Sequence, residues 1–167
     1  EPPVEWLVPD LLPRGSLVAL VGDAGTGKSV LSYILSMALA SHSSFLTHRH
    51  ASPQTVLYFD QENSRPDRDE YLRWAWHGLG RPNTDLIRQR LWAVHFGLGG
   101  RDWLTKATEW ITTIQPALIV FDTATPCCNI ADENDNAEAA RVINQIRALQ
   151  ALTKPTTTAL VLKHARL

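Results

Sequence analysis

Gly22-Asp23-Ala24-Gly25-Thr26-Gly27-Lys28-Ser29 fits the pattern G-x-x-x-x-G-K-[ST], and its neighbours give the pattern a structural setting. Leu17-Val18-Ala19-Leu20-Val21 runs straight into it as a short apolar stretch that reads as a buried strand. Val30 to Ala40 follows it with the composition of a helix. Strand, glycine-rich loop and helix in this order define a P-loop, and they commit the chain to an α/β fold. With glycine at about 7% of residues, two correctly spaced glycines are roughly a half-percent event at any position. The Lys-Ser pair and both flanking elements make coincidence a poor account.

The chemistry of a P-loop explains each residue type. Glycines 22, 25 and 27 allow left-handed backbone angles and gather N–H groups at the positive end of the following helix. Gly22, Asp23, Ala24, Gly25, Thr26, Gly27, Lys28, Ser29 and Val30 are therefore the expected contacts of a bound nucleoside triphosphate. Lys28 supplies a mobile charge for the β- and γ-phosphates, and Ser29 a hydroxyl for Mg²⁺.

Four more strand signals follow, at Thr55–Phe59, Leu91–Phe96, Ala117–Phe121 and Thr157–Leu162. Between them lie helical patterns: Ser64 to about Gly78 with Tyr71, Leu72, Ala75 and Trp76 inward, about Asp102 to Ile114, and a stretch from Asp135 with Ala139, Val142, Ile143, Ile146 and Leu149 at helical spacing. Asp135 and Glu138 have the form of a capping box. Alternating strands and helices predict a mainly parallel sheet covered on both sides. Residues 1–13 read as an extended, proline-rich arm with Trp6 packed on the core, and His42, His48 and His50 as part of a solvated connection.

In such a sheet, functional groups collect at the carboxyl ends of the strands. The polar residues there are the glycine loop, Asp60 to Asn63, Asp122-Thr123 and Lys163-His164. Asp122, at the end of four strongly apolar residues, suits a Walker B acid that holds Mg²⁺ through water opposite Ser29. Thr123 stands where many such ATPases carry their catalytic glutamate, so another base is needed, and Glu62 is placed to activate water.

The chain has 167 residues, enough for one domain with a substantial core, and 44% hydrophobic and 20% charged side chains, an ordinary globular balance. Its net charge of −1 gives no overall electrostatic footprint for nucleic acid or anionic lipid. No apolar stretch is long enough for a membrane span. Cys127 and Cys128 are adjacent, which suits reduced, inert thiols in a cytoplasmic protein, although the turn after Asp122 suggests that they are accessible. Glu1 at the start and Leu167 just beyond a strand suggest a segment of a longer protein.

Leu57-Tyr58-Phe59-Asp60-Gln61-Glu62-Asn63, Leu118-Ile119-Val120-Phe121-Asp122-Thr123 and Val161-Leu162-Lys163-His164, in this order after the P-loop, resemble the RecA-like ATPases. Trp6 to Gly15 and Ala131-Asp132-Glu133-Asn134-Asp135-Asn136 are similar to the branch that contains the hexameric plasmid replicative helicase RepA. The resemblance implies a three-layer RecA-like core over residues 1–167 with strand order 3-2-4-5-1, cut after its fifth strand and forming the first part of a larger ATPase domain. It implies ATP and Mg²⁺ as cofactors, Glu62 as catalytic base, Lys28 as a catalytic contact, Ser29 and Asp122 as metal ligands, and His164 as a γ-phosphate sensor. Members often carry His-His where this chain has Lys163-His164. The family forms rings or filaments, so a homohexamer, single-stranded DNA as partner of the full-length protein and an arginine finger beyond Leu167 follow as expectations. Arg65, Arg68 and Arg73 read as helix-surface residues.

Three functions remain on this reading. The first is an ATP-driven hexameric DNA helicase, with residues 125–136 near its channel even though Asp132, Glu133 and Asp135 are poor phosphate ligands. A RecA-like regulatory or assembly ATPase would use the same pocket without unwinding. A small-molecule kinase shares the P-loop, but an acceptor site and an arginine-rich lid are not apparent.

Overall fold

The computed structural model describes residues 3–50, 52–95, 102–128, 130–131 and 136–165. The chain enters through a ribbon rather than a plain extended arm: β1 (Trp6–Val8) pairs antiparallel with β2 (Leu12–Pro13). Leu7, Val8 and Leu12 are the buried anchors of this ribbon, whereas Trp6, expected to pack inward, stays 39% exposed. Smaller aliphatic side chains at the neighbouring positions already fill the interior face.

Among the described residues, five strands form the main sheet: β3 (Leu17–Gly22), β4 (Val56–Asp60), β5 (Leu91–Val94), β6 (Leu118–Asp122) and β7 (Thr158–His164). Their order is β3-β7-β6-β4-β5, and every pairing is parallel. Counted along the chain, these strands run 3-2-4-5-1 from the β5 edge. Phe96, assigned to the third core strand from sequence, lies outside the described residues, as does Asp135 of the expected capping box.

Period-two alternation divides the interior strands between two cores. Val56, Tyr58, Leu118, Val120, Leu160 and Leu162 meet Tyr33, Leu35 and Leu39 of α1 (Lys28–Ser41). On the same side lie α2 (Arg65–Gly78) and α3 (Thr84–Arg90). Leu57, Phe59, Ile119, Phe121 and Ala159 face the other way, against Trp103, Ala107 and Ile111 of α4 (Trp103–Ile114) and Val142, Ile146 and Leu149 of α6 (Asn136–Gln150). β4 and β6 are buried along their whole length because helices cover both faces. The result is a three-layer α/β/α core of RecA-like type.

Helix starts follow local chemistry. Ser64 caps α2 by accepting from the Asp67 amide at 3.3 Å, with Pro66 in the first turn. Asn83 caps the short α3, which the sequence pattern did not reveal, by accepting from Asp85 and Leu86. At the other end of the sheet, Gln150 closes α6 onto the entry of two strands. Its Nε2 donates to the carbonyls of Gly15, Ser16 and Thr157 at 3.3, 2.9 and 2.8 Å.

Two expectations are corrected here. The histidine connection is not simply solvated: His50 is buried, its ring nitrogens within 3.1 Å of the carbonyls of Ala38, Ser43 and Ser52, and His42 stacks at a tilt against it. The cysteines are not accessible. The short α5 (Ala124–Cys127) folds the chain back beneath the sheet, leaving both thiols fully buried. Burial raises the Cys127 thiol well above its ordinary range and Cys128 to about 12.

Two outcomes follow. A thiol-reactive dye should modify neither cysteine in the native state and both after denaturation. Gln150→Ala should remove the side-chain donor from the carbonyls of Gly15, Ser16 and Thr157, of which Ser16 keeps the Ala159 amide, and lower unfolding free energy by about 1–3 kcal/mol, read from the urea midpoint.

Candidate functional site

Parallel pairing brings four strand ends to one edge. β3 ends at Gly22, β4 at Asp60, β6 at Asp122 and β7 at His164. In register, Asp60 lies opposite Asp122 and Gly22 opposite His164. The Gln61 amide donates to the Asp122 carbonyl at 2.8 Å, extending the ladder by one bond beyond the strand.

The glycine loop wraps over this edge and opens α1. Gly27 caps the helix at φ 86°, a left-handed angle that glycine adopts without strain. At Gly22 space is tight, since a Cβ there would meet Thr26 Oγ1 at 3.0 Å and that hydroxyl would have to shift. No side chain caps the start of α1 and no acid lies in its first turn, so its leading amides and helix dipole are left for an anion. Lys28 Nζ donates to the carbonyls of Gly22 and Asp23, both at 2.8 Å, and Thr26 Oγ1 to the Asp23 carbonyl at 2.8 Å. The lysine is therefore held within the loop, with hydrogen bonds it can exchange for phosphate oxygens.

Asp122 lies beneath the loop, fully buried. Oδ2 accepts from Tyr58 at 2.6 Å and from Asn63 Nδ2 at 3.2 Å, while Oδ1 is buried without a hydrogen-bond partner. Burial raises its carboxyl to about 6; Tyr58 and Ser29 oppose that rise, and the negative charges of Asp60 and Glu62 add to it. A buried carboxylate oxygen with no donor, near the Ser29 hydroxyl, suits a hard cation with oxygen ligands. On this ground Ser29 and Asp122 fit Mg²⁺.

Glu62 extends over the end of β6 to reach His164, with Oε1 3.1 Å from Nε2. Both side chains are about one-third exposed, open to water and to a ligand on the loop. Alternation along β7 separates the two residues at its end. Lys163 shares a groove with Val161 and α6 on the far side of the sheet, leaving His164 to the loop side. Of the three arginines, Arg65 and Arg73 lie on the surface, whereas Arg68 is largely covered and near enough to Tyr33 to act on its hydroxyl. The central part of the 125–136 region, residues 129 and 132–135, is outside the described residues.

Sequence reading missed the layer below these groups. Asp60 is fully buried and accepts from Tyr33 at 2.7 Å, from the amides of Glu62 and Asn63 at 3.3 and 3.0 Å, and from Asn63 Nδ2. Tyr33 and Tyr58 stack with centroids 4.1 Å apart. One signal was available: a tyrosine inside a strand buried on both faces must find a partner for its hydroxyl.

Because the folded state holds the Asp122 carboxyl above its ordinary 3.8, ionising it costs stability. That contribution is intact below about pH 4 and is lost as pH rises through about 6. In the absence of nucleotide and Mg²⁺, Asp122→Asn should be more stable than the wild type at pH 7.5, by up to about 3 kcal/mol. The difference should vanish near pH 4, as measured by thermal melting across pH.

No curated protein sequence matches the chain. The family model AAA_25, described as an AAA domain, matches residues 1–166. With the match running through the loop, both buried acids and the last strand, the chain belongs to the AAA domain family AAA_25, whose fold serves nucleotide-dependent ATPases.

Proposed function

We propose that this domain binds ATP with Mg²⁺ and hydrolyses it to drive a DNA-directed motor, of the kind found in hexameric replicative helicases. The observation that carries the reading is the 3.1 Å contact between Glu62 and His164 above Asp122, beside the glycine loop. On this reading Glu62 as base, Asp122 as metal-holding acid and His164 as sensor would act from three neighbouring strand ends, β4, β6 and β7.

In this reading the loop amides from Gly22 to Val30 and the Lys28 ammonium hold the triphosphate. Ser29 and Asp122 would hold Mg²⁺, which when bound would supply positive charge to the phosphates. Glu62 orients that water and takes its proton. His164 exchanges its contact with Glu62 for the γ-phosphate and carries the change along β7. A neighbouring subunit in a homohexamer supplies an arginine, and single-stranded DNA occupies the central channel. The helicase assignment is supported by the similarity of the Asp60-Gln61-Glu62-Asn63 and 131–136 segments to the RepA branch.

A regulatory ATPase is the second reading, favoured by the net charge of −1, which offers a polyanion no general attraction. Hydrolysis by the full-length protein, with and without single-stranded DNA, separates the two. The motor predicts strong stimulation by DNA, lost in Lys28→Ala and reduced at least about 100-fold in Glu62→Gln, the size expected for a general base. Turnover indifferent to DNA would favour the regulatory reading, and full activity in Glu62→Gln would remove Glu62 as the base.

A further inference from the structure

Asp60 and Asp122 are paired across β4 and β6, buried equally, yet their hydrogen bonding differs. Both oxygens of Asp60 have donors within the protein. On Asp122 the donors converge on Oδ2 and none reaches Oδ1. A carboxylate is symmetric, so this division must come from its neighbours.

Those neighbours are themselves fixed. The Tyr58 ring stacks on Tyr33 with an interplanar angle of 11°, which leaves its hydroxyl little freedom. That hydroxyl is also 2.7 Å from Ser32 Oγ, and Ser32 Oγ is 2.9 Å from the Ser29 carbonyl. Tyr58 therefore joins the acid at the end of β6 to the helical turn that carries Ser29. Asn63 has two amide hydrogens and lies between the carboxylates, 3.1 and 3.2 Å from Asp60 and 3.2 Å from Asp122 Oδ2. It keeps two like charges at a set separation and fixes the residue next to Glu62.

We propose that Tyr58 and Asn63 are positioning residues that occupy Oδ2 of Asp122 and thereby reserve Oδ1 for Mg²⁺. The proposal rests on the reading of Asp122 as a metal ligand. Partners behind a metal ligand set its orientation, and their loss typically weakens metal affinity about 10–100-fold. Without the Tyr58 hydroxyl, Oδ2 loses its shortest bond and the carboxylate is free to turn. Tyr33 offers a matched control, because its hydroxyl serves Asp60 alone.

The test is the binding of a fluorescent ATP derivative to the full-length protein, first in EDTA and then across a MgCl₂ titration. Tyr58→Phe keeps the stacked ring, and should raise the Mg²⁺ concentration for half-maximal tightening about tenfold or more while leaving affinity in EDTA within about twofold. Asn63→Ala should act in the same direction, and Tyr33→Phe should leave the Mg²⁺ dependence unchanged. An unshifted titration in Tyr58→Phe, an equal shift in Tyr33→Phe, or a matching loss of affinity in EDTA overturns the proposal. Asp122→Asn separates the two levels: if it leaves the Mg²⁺ titration unmoved, the reading of Asp122 as a metal ligand fails first, and the positioning role with it.

Discussion

The β4–β6 pairing is the constraint on which the site depends. Its register sets Asp60 against Asp122 and continues through the Gln61 amide, so the chain leaving β4 must cross the end of β6. That crossing delivers Glu62 to His164 and Asn63 to both acids. A shift of one residue would turn Tyr58 and Asp122 to opposite faces and dissolve the arrangement, because side chains alternate with period two.

Placing two carboxylates and two tyrosine hydroxyls inside an apolar core is costly unless every polar atom finds a partner. Here almost all do, through a network that runs from Ser32 to Tyr58 and Asp122, and through Asn63 to Asp60 and Tyr33. Asp122 Oδ1 is the exception in this network. On the proposed reading of Asp122 as a metal ligand, such an exception is what a cation would require. The raised carboxyl of Asp122 is the electrostatic trace of the same design.

Burial also decides which conspicuous residues are inert. Cys127 and Cys128 look accessible in a turn but pack beneath Phe59 and Phe121, with Cys127 Sγ donating to the Phe59 carbonyl at 3.5 Å. His50 looks like a solvated loop residue but ties the end of α1 to the chain returning toward β4. Lys163 departs from the His-His expected of the RepA branch, yet alternation on β7 turns it to the groove beside α6, so the departure falls on the opposite face from Glu62.

The P-loop, the five-strand α/β pattern and the acids ending β4 and β6 were legible in the sequence because each follows from local chemistry. Glycines mark a left-handed loop, apolar runs mark buried strands, and a carboxylate directly after such a run must sit at its end. Glu62 could be selected as a candidate base because Thr123 could not serve. The sequence could not show which strands become neighbours in space, and the site's finer order comes from that. Only the β7 position between β3 and β6 brings His164 beside the loop, and only the fold brings the Tyr58 hydroxyl and the Asn63 amide together on one oxygen of Asp122. Those relations join residues 25 to 142 positions apart, and long-range contact of that kind leaves no periodic mark on the chain.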